Sequence, residues 1–168
     1  MKPVFKIALF FLICFFSIGC DRVTKDLAKE HLANTETKSF LNDTVRLMYV
    51  ENTGAALSLG SELSKTASFW LLSILPLAFL ILLVFYSINN AAKLKLSQII
   101  FFAMIFSGGM GNIIDRILYD RHVPDFMNLG INNFRTGIFN FADVFVSIGV
   151  LGLMISLFLK KETDQGMN

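Results

Sequence analysis

The chain has 168 residues, enough for one compact domain, but 54% of them are hydrophobic and 18 are Phe. This composition excludes an ordinary soluble protein and predicts a membrane protein. With 15 basic and 13 acidic residues, the formal net charge of +2 is too small for a nucleic-acid-binding surface, so we expect no nucleic-acid partner.

Four apolar segments approach the length that a membrane-spanning helix needs. A hydrocarbon core of roughly 30 Å requires about 20 apolar residues in a helix. The apolar runs predict spans at about 4–20, 67–89, 96–114 and 138–159. The loops between them are 21–66 and 115–137 on one side, and residues 1–168 form a single integral-membrane domain.

The first segment has two interpretations. Two lysines, then an apolar run, then Ser17-Ile18-Gly19-Cys20 have the layout of a secretory signal with a small-residue cleavage site. Ser17 is a poor match where a lipoprotein signal prefers Leu, and the three later spans hold the chain in the membrane in any case. We therefore expect a retained helix, with Lys6 reaching the headgroups to lengthen it.

The distribution of lysines predicts the orientation. Basic residues concentrate at the two chain ends and between the second and third spans, and this excess marks the cytoplasmic side. The residues concerned are Lys2, Lys6, Lys93, Lys95, Lys160 and Lys161. We expect both termini in the cytoplasm and both long loops outside it.

The first outer loop contains a strand-like stretch from Thr44 to Val50, rich in residues that favour strands. Asn52-Thr53-Gly54 follows, with the composition of a turn. The predicted fold is an all-α membrane protein of four transmembrane helices with a small outer β element.

One ionisable residue lies well inside a predicted span. Such residues are costly in a bilayer and are functional candidates by default. Asp143 precedes Leu159 by 16 residues, so it lies roughly 24 Å from the cytoplasmic end of its helix and close to the outer interface. Asn140 and Ser147 share its helix face.

A matching polar face occurs on the third span, where Gly108, Asn112 and Asp115 follow a helical spacing. The short loop after this span carries Asp125 in Val123-Pro124-Asp125-Phe126, where Pro124 and the flanking apolar residues predict a segment turned back toward the membrane surface. Asp125 can therefore reach Asp143. Paired carboxylates can activate water for peptide hydrolysis, because one holds a proton while the other acts as a base.

Ion pairs are the competing interpretation of these carboxylates. Asp115 with Arg116, or Asp143 with an arginine of the loop, could simply fix helix ends, and the spacing alone leaves both interpretations open. A small transporter or scaffold is a further alternative, but coupling sites usually lie near the bilayer midplane between repeated halves. Asp143 is near one surface, and no repeat is visible.

Metal and serine chemistry are poorly supported. His31 and His122 lie in different loops without a metal-ligand spacing, so we expect no metal and no other cofactor. The stretch 56–60 lacks the first glycine of a nucleophile elbow, so Ser58 is not a candidate nucleophile.

Five sequence blocks, in order along nearly the whole chain, resemble the lipoprotein signal peptidases, also called signal peptidase II or prolipoprotein signal peptidase. The blocks are Asp21 to Lys25, Asn52 to Ser58, Gly108 to Arg116, Val123 to Phe126 and Phe139 to Asp143. Three features depart from the family pattern: Leu57 stands where Phe is expected, Ser107-Gly108-Gly109 replaces Gly-Gly-Ala, and the segment from Arg116 to Asp125 is about one residue longer.

The resemblance implies four transmembrane helices, an outer β-cradle and a loop helix near the membrane surface. It implies an aspartic endopeptidase that cleaves diacylglyceryl-modified prolipoproteins just before the lipidated cysteine, with Asp125 and Asp143 as the catalytic pair. Other motif positions that it assigns to the site or its shaping are Asn52, Gly54, Gly108, Asn112, Asp115, Arg116, Asn140, Ala142, Asp21 and Lys25.

The family also implies the surroundings. We expect a multi-pass protein of the bacterial cell inner membrane whose active site faces the extracytoplasmic side. Its partners would be prolipoproteins, membrane lipid and cyclic peptide inhibitors of the globomycin type.

Overall fold

A computed structural model describes the chain over 1–55 and 58–165, with side chains up to 158. The family-pattern departure at Leu57 lies outside the described residues. The helices are α1 (Pro3–Leu32), α2 (Lys65–Phe69), α3 (Leu75–Asn89), α4 (Leu96–Leu118) and α5 (Phe141–Gln165). The strands are β1 (Lys38–Phe40), β2 (Val45–Asn52), β3 (Val123–Ile131) and β4 (Phe134–Arg135).

Within the described part of the chain, four continuous helices are long and apolar enough to cross a bilayer, which confirms the four-helix prediction. They are Pro3–Leu32, Lys65–Asn89, Leu96–Leu118 and Phe141–Phe158. The second of them joins α2 to α3 through a π-helical turn, Trp70–Ile74. Many large apolar side chains on these helices point away from the protein, as they must if they face lipid.

The first helix is longer than its apolar run. It continues from Cys20 to Leu32, which adds about 18 Å at 1.5 Å per residue. The charged residues that end the apolar run do not end the helix, because Asp21 and Lys25 are buried against α4 and paired there. The extension projects from the membrane-spanning part and supports the outer sheet.

Lys6 corrects one expectation. Its side chain is buried and its ammonium donates to the carbonyl oxygens of Ala91 and Leu94, at 2.9 and 2.6 Å. These carbonyls lie in the turn between α3 and α4 and satisfy the buried ammonium, which would be costly to bury without hydrogen-bond partners. Lys6 therefore ties α1 to the turn between α3 and α4.

The outer part of the molecule is a four-stranded antiparallel sheet of order β1-β2-β3-β4. The prediction of a strand in the first outer loop is confirmed by β2. The two strands of the second outer loop were not predicted, because Pro124 suggested a turned-back segment. Pro124 instead lies opposite Glu51 within the pairing of β2 with β3.

The sheet rests on the extension of α1. Phe126 of β3 packs with Ala28 and Leu32, and Leu47 and Phe141 border the same cluster. A separate apolar core lies among α1, α3 and α4. The sheet and the start of α5 are thus held together at the outer end of the helices.

Glycines bring α4 and α5 into close contact. A Cβ at Gly108 would overlap the carbonyl oxygen of Ala142, and one at Gly152 would overlap the ring of Phe101. Close approach through small residues is typical of membrane helices. It sets the first turn of α5 against the outer half of α4, where the polar residues of both helices meet.

Candidate active site

Asp143 lies in the first turn of α5, in a reciprocal cap with Asn140. The side-chain oxygen of Asn140 accepts from the backbone N–H of Asp143 at 3.1 Å. The Asp143 carboxylate accepts from the backbone N–H of Asn140, also at 3.1 Å. This is the geometry of a capping box, and the positive end of the helix dipole favours a negative side chain there.

Asn140 also joins the two candidate aspartates. Its amide nitrogen donates to Asp125 at 2.6 Å and to the side-chain oxygen of Asn112 at 3.2 Å. Asn140 is 0% exposed, so its rotamer is held on every side. A single buried amide therefore places Asp125 and Asp143 beside each other.

Asp125 is carried by β3, where it pairs with Val50 of β2. The other side of its carboxylate accepts from the amide of Asn52 at 3.0 Å. The Asn52 oxygen accepts from the backbone N–H of Gly54 at 2.8 Å, which fixes the direction in which the amide points. The turn after β2 thus presents a donor to Asp125.

Burial raises the pKa of Asp125 to about 6, and the negative charge of Asp143 acts in the same direction. Hydrogen bonds from Asn52 and Asn140 oppose this shift but do not cancel it. A carboxyl group with a pKa near neutrality can exchange a proton at the pH of a cell.

Asp143 has a second amide donor on α4. The nitrogen of Asn112 donates to its carboxylate at 2.8 Å, while the oxygen of Asn112 accepts from the ammonium of Lys25 at 3.1 Å. Each aspartate therefore accepts from an asparagine side chain whose oxygen is itself hydrogen-bonded.

Behind these amides lies a buried group of charges. The Lys25 ammonium lies 2.7 Å from both Asp21 and Asp115, and Arg22 lies 2.7 Å from Asp115. Two positive and two negative side chains balance, which is necessary because unpaired buried charges are costly. Asp115 thus pairs with α1, and the predicted alternative of a pair with Arg116 is wrong.

Arg116 instead fixes the outer loop. Its guanidinium donates to the carbonyl of Gly54 at 2.8 Å and to that of Asn112 at 3.4 Å. This contact ties the turn after β2 to the end of α4.

Asp21 connects α1 to α5. Its carboxylate accepts from the backbone N–H of Ala142 at 2.9 Å, one of the N–H groups that the first turn of a helix leaves free. A Cβ on Gly111 would come within 2.7 Å of this carboxylate, so the glycine makes room for it. Ala142 itself is fully buried.

The two aspartates open onto a cavity of about 600 Å³. Polar side chains of Asn52, Asn112, Arg116, Thr136 and Ser147 also line this cavity. Most of the remaining lining is apolar and follows α5 down to Leu151. The site therefore joins a polar end beside the sheet to a largely apolar groove along a membrane-spanning helix.

All twelve site residues predicted from the sequence contribute to this region, either at the aspartates or in the contacts that hold their supports. The sequence analysis did not single out Arg22, which pairs with Asp115 in the buried group of charges. Its signal was available, because Arg22 lies inside the first motif block, directly after the apolar run, where an unpaired charge would be unfavourable.

The family comparison matches the model described as Signal peptidase (SPase) II over residues 13–159. The chain belongs to this family. Signal peptidase II relatives resemble it over most of their length. The lipoprotein signal peptidase of Treponema denticola is 36% identical, covering 89% of this chain and 88% of the relative. That of Clostridium tetani is 37% identical, covering 90% and 92%.

Solved structures give the same result for the fold. A bacterial membrane enzyme determined by the in meso method at 2.3 Å resolution superposes with a TM-score of 0.78 and 28% identity, covering 93% of this chain and 91% of that one. Another, at 1.9 Å, gives a TM-score of 0.74 and 30% identity, covering 89% and 92%. As a member of the signal peptidase II family, the chain is a multi-pass bacterial membrane protein and a peptidase.

Proposed function

We propose that this protein is the aspartic endopeptidase that removes signal peptides from diacylglyceryl-modified prolipoproteins, cleaving just before the lipidated cysteine. The observation that carries the proposal is the pairing of Asp125 and Asp143 through Asn140, at the polar end of an apolar groove. A pair of carboxylates can activate water for hydrolysis of a peptide bond, and an apolar groove suits a substrate that stays in the bilayer.

The two aspartates differ in surroundings, and this difference supports separate roles. Asp143 lies in the first turn of α5 and accepts from the backbone N–H of Asn140 and from the side chain of Asn112, so it is suited to be the base. Asp125 is the buried member whose pKa is raised to about 6, so it is suited to hold the proton. The pair titrates as a unit, and both roles refer to the state before attack.

In the proposed reaction, a water molecule between the two side chains loses a proton to Asp143 while its oxygen attacks the carbonyl carbon. Asp125 donates its proton to the carbonyl oxygen, which stabilises the tetrahedral intermediate. The intermediate then collapses: Asp125 regains its proton, the C–N bond breaks, and the leaving amine takes the proton held by Asp143.

The groove supports a substrate entering sideways from the bilayer. The signal helix would lie along the apolar wall of α5, with the acyl chains in lipid and the scissile bond at the aspartates. We place the enzyme in the inner membrane with this site toward the extracytoplasmic face. A cyclic peptide inhibitor of the globomycin type would occupy the polar end of the same groove.

The test uses purified protein and a diacylglyceryl-modified prolipoprotein, with products identified by mass spectrometry. We expect one cut, immediately before the lipidated cysteine, and no cut in the same precursor without its lipid. Cleavage of both precursors at equal rates would contradict the assignment of a lipid-dependent substrate. An inactive wild-type protein would contradict the proposed activity itself.

A further inference from the structure

Lys25 is the one residue of the buried charge group that also contacts the amides at the aspartates. It is 1% exposed, and its ammonium has three hydrogen bonds, to Asp21, Asp115 and Asn112. An ammonium has three donors, so each is used. Two of these bonds are to carboxylates, which neutralise its charge. The third is to Asn112, which in turn donates to Asp143.

The third bond determines how Asn112 is oriented. The oxygen of Asn112 accepts from Lys25 and from the amide of Asn140, so its nitrogen is turned to Asp143. The reversed amide would set two donors against its nitrogen and its oxygen against a carboxylate. Without Lys25, one of the two donors that hold the oxygen of Asn112 in place is lost.

We propose that Lys25 is a positioning residue for the reaction, which acts through Asn112 to keep a hydrogen-bond donor on Asp143. The proposal rests on the function proposed above and adds a residue that does not touch the substrate. The charged groups that face the aspartates are Lys25 from α1 and Arg116 from α4, and only Lys25 contacts the side chain of Asn112.

A simple Lys25→Met variant removes one positive charge and leaves Asp21 and Asp115 with Arg22 alone, which endangers folding. Lys25→Met is therefore combined with Asp21→Asn as one paired change, so that every variant compared keeps a balanced charge group. Asp21→Asn with Lys25→Met leaves Asp115 and Arg22 as a neutral pair, and an asparagine oxygen at position 21 can still accept from Ala142. Thermal unfolding in detergent verifies that each variant is folded.

The test is a double-mutant cycle between this paired change and Asn112→Ala, with single-turnover cleavage at excess enzyme as the readout. A hydrogen bond to a charged group contributes enough to change a rate by about ten- to a hundredfold. When Asn112 is present, we expect the paired change to lower the maximal single-turnover rate by that factor, with little change in the enzyme concentration that gives half of this rate.

In the Asn112→Ala background the paired change should alter the maximal single-turnover rate by less than about threefold, because the residue through which Lys25 acts is gone. Equal losses in both backgrounds would mean that Lys25 acts on the fold or directly on the site, and would overturn the proposal. The proposed function would survive that outcome, since it depends on wild-type cleavage.

Lys29→Gln is the matched control. Lys29 lies one helical turn further along α1, over the ring of Tyr119, and it has no contact with Asn112. We expect its cleavage rate to match that of the wild type.

Discussion

At the scale of single residues, Asn140 combines two functions that can be separated. Its oxygen caps α5 and its nitrogen bridges Asp125 and Asn112. A serine at this position retains the capping oxygen but has no amide to reach Asp125.

Asn140→Ala should therefore lose about 1 kcal/mol of stability together with about ten- to a hundredfold in kcat. Asn140→Ser should lose activity to a similar degree but change the free energy of unfolding by only a few tenths of a kcal/mol. Denaturant unfolding and cleavage kinetics on the same preparations check both. Full activity in Asn140→Ser would show that the bridge to Asp125 is dispensable.

Asp125 predicts a pH dependence of stability with a definite sign. Its pKa is raised to about 6 when folded, so the folded protein binds more protons than the unfolded chain at intermediate pH. This contribution to the stability of the fold is fully present below the pKa that the carboxyl has in the unfolded chain. It is lost as the pH rises through the pKa that the carboxyl has in the folded protein. The stability of the wild type relative to Asp125→Asn should fall by on the order of 2 kcal/mol between pH 4 and pH 7.

Asp120→Asn is the control for this measurement. Lys65 lowers the pKa of the exposed Asp120 carboxyl, so here the wild type gains rather than loses stability over its variant as the pH rises. A constant difference between wild type and Asp125→Asn across the range would contradict the raised pKa.

The residues of the site were largely predictable, because polar groups within apolar runs are costly and few. Asn112, Asp115 and Asp143 stood out for this reason. The motif resemblance was needed for Asp21 and Lys25, since charges just beyond an apolar run look like an ordinary membrane boundary. Their burial depends on contacts between α1 and α4 that no local pattern reveals.

At the scale of elements, the approach of α5 to α4 depends on Gly108. Gly108→Ala would force the Cβ against the Ala142 carbonyl and move the first turn of α5, which carries Asp143. Overpacking of this kind typically costs about 1–3 kcal/mol. We expect lower thermal stability and at least a tenfold loss of cleavage.

Gly19→Ala is the matched control, because an added Cβ at this helical position meets nothing within 4 Å. It should stabilise the protein by about 0.5–1 kcal/mol and leave cleavage unchanged. Equal behaviour of the two variants would show that close helix packing is not what positions α5.

The elements themselves differed in how well they could be predicted. Apolar runs identified the four helices, because the bilayer permits little else. The outward extension of α1 and the strand β3 escaped prediction because both depend on tertiary contacts. The charge of Asp21 suggested the end of a helix, but its burial and pairing allow α1 to continue. Pro124 suggested a turn, but the pairing with β2 makes it part of β3.

At the scale of the whole molecule, the arrangement predicts which surfaces face outward. In a Cys14→Ala/Cys20→Ala background, Glu36→Cys before β1 should react with a membrane-impermeant maleimide on intact spheroplasts. Ala92→Cys, in the turn between α3 and α4, should react only after the membrane is opened. Both positions are exposed, so the reverse pattern would place the aspartates on the cytoplasmic side.

The whole account depends on Asp125 and Asp143 acting as one catalytic pair, with the other polar residues as their supports. The most direct test is single-turnover cleavage of a lipid-modified prolipoprotein by the wild type, Asp125→Asn and Asp143→Asn. Asp120→Asn provides a surface aspartate of the same outer loop as control, and thermal unfolding verifies each fold. We expect each of the first two variants to lose roughly a hundred- to ten-thousandfold in rate, and the control to lose nothing. Cleavage at the wild-type rate by either folded variant would contradict the central claim.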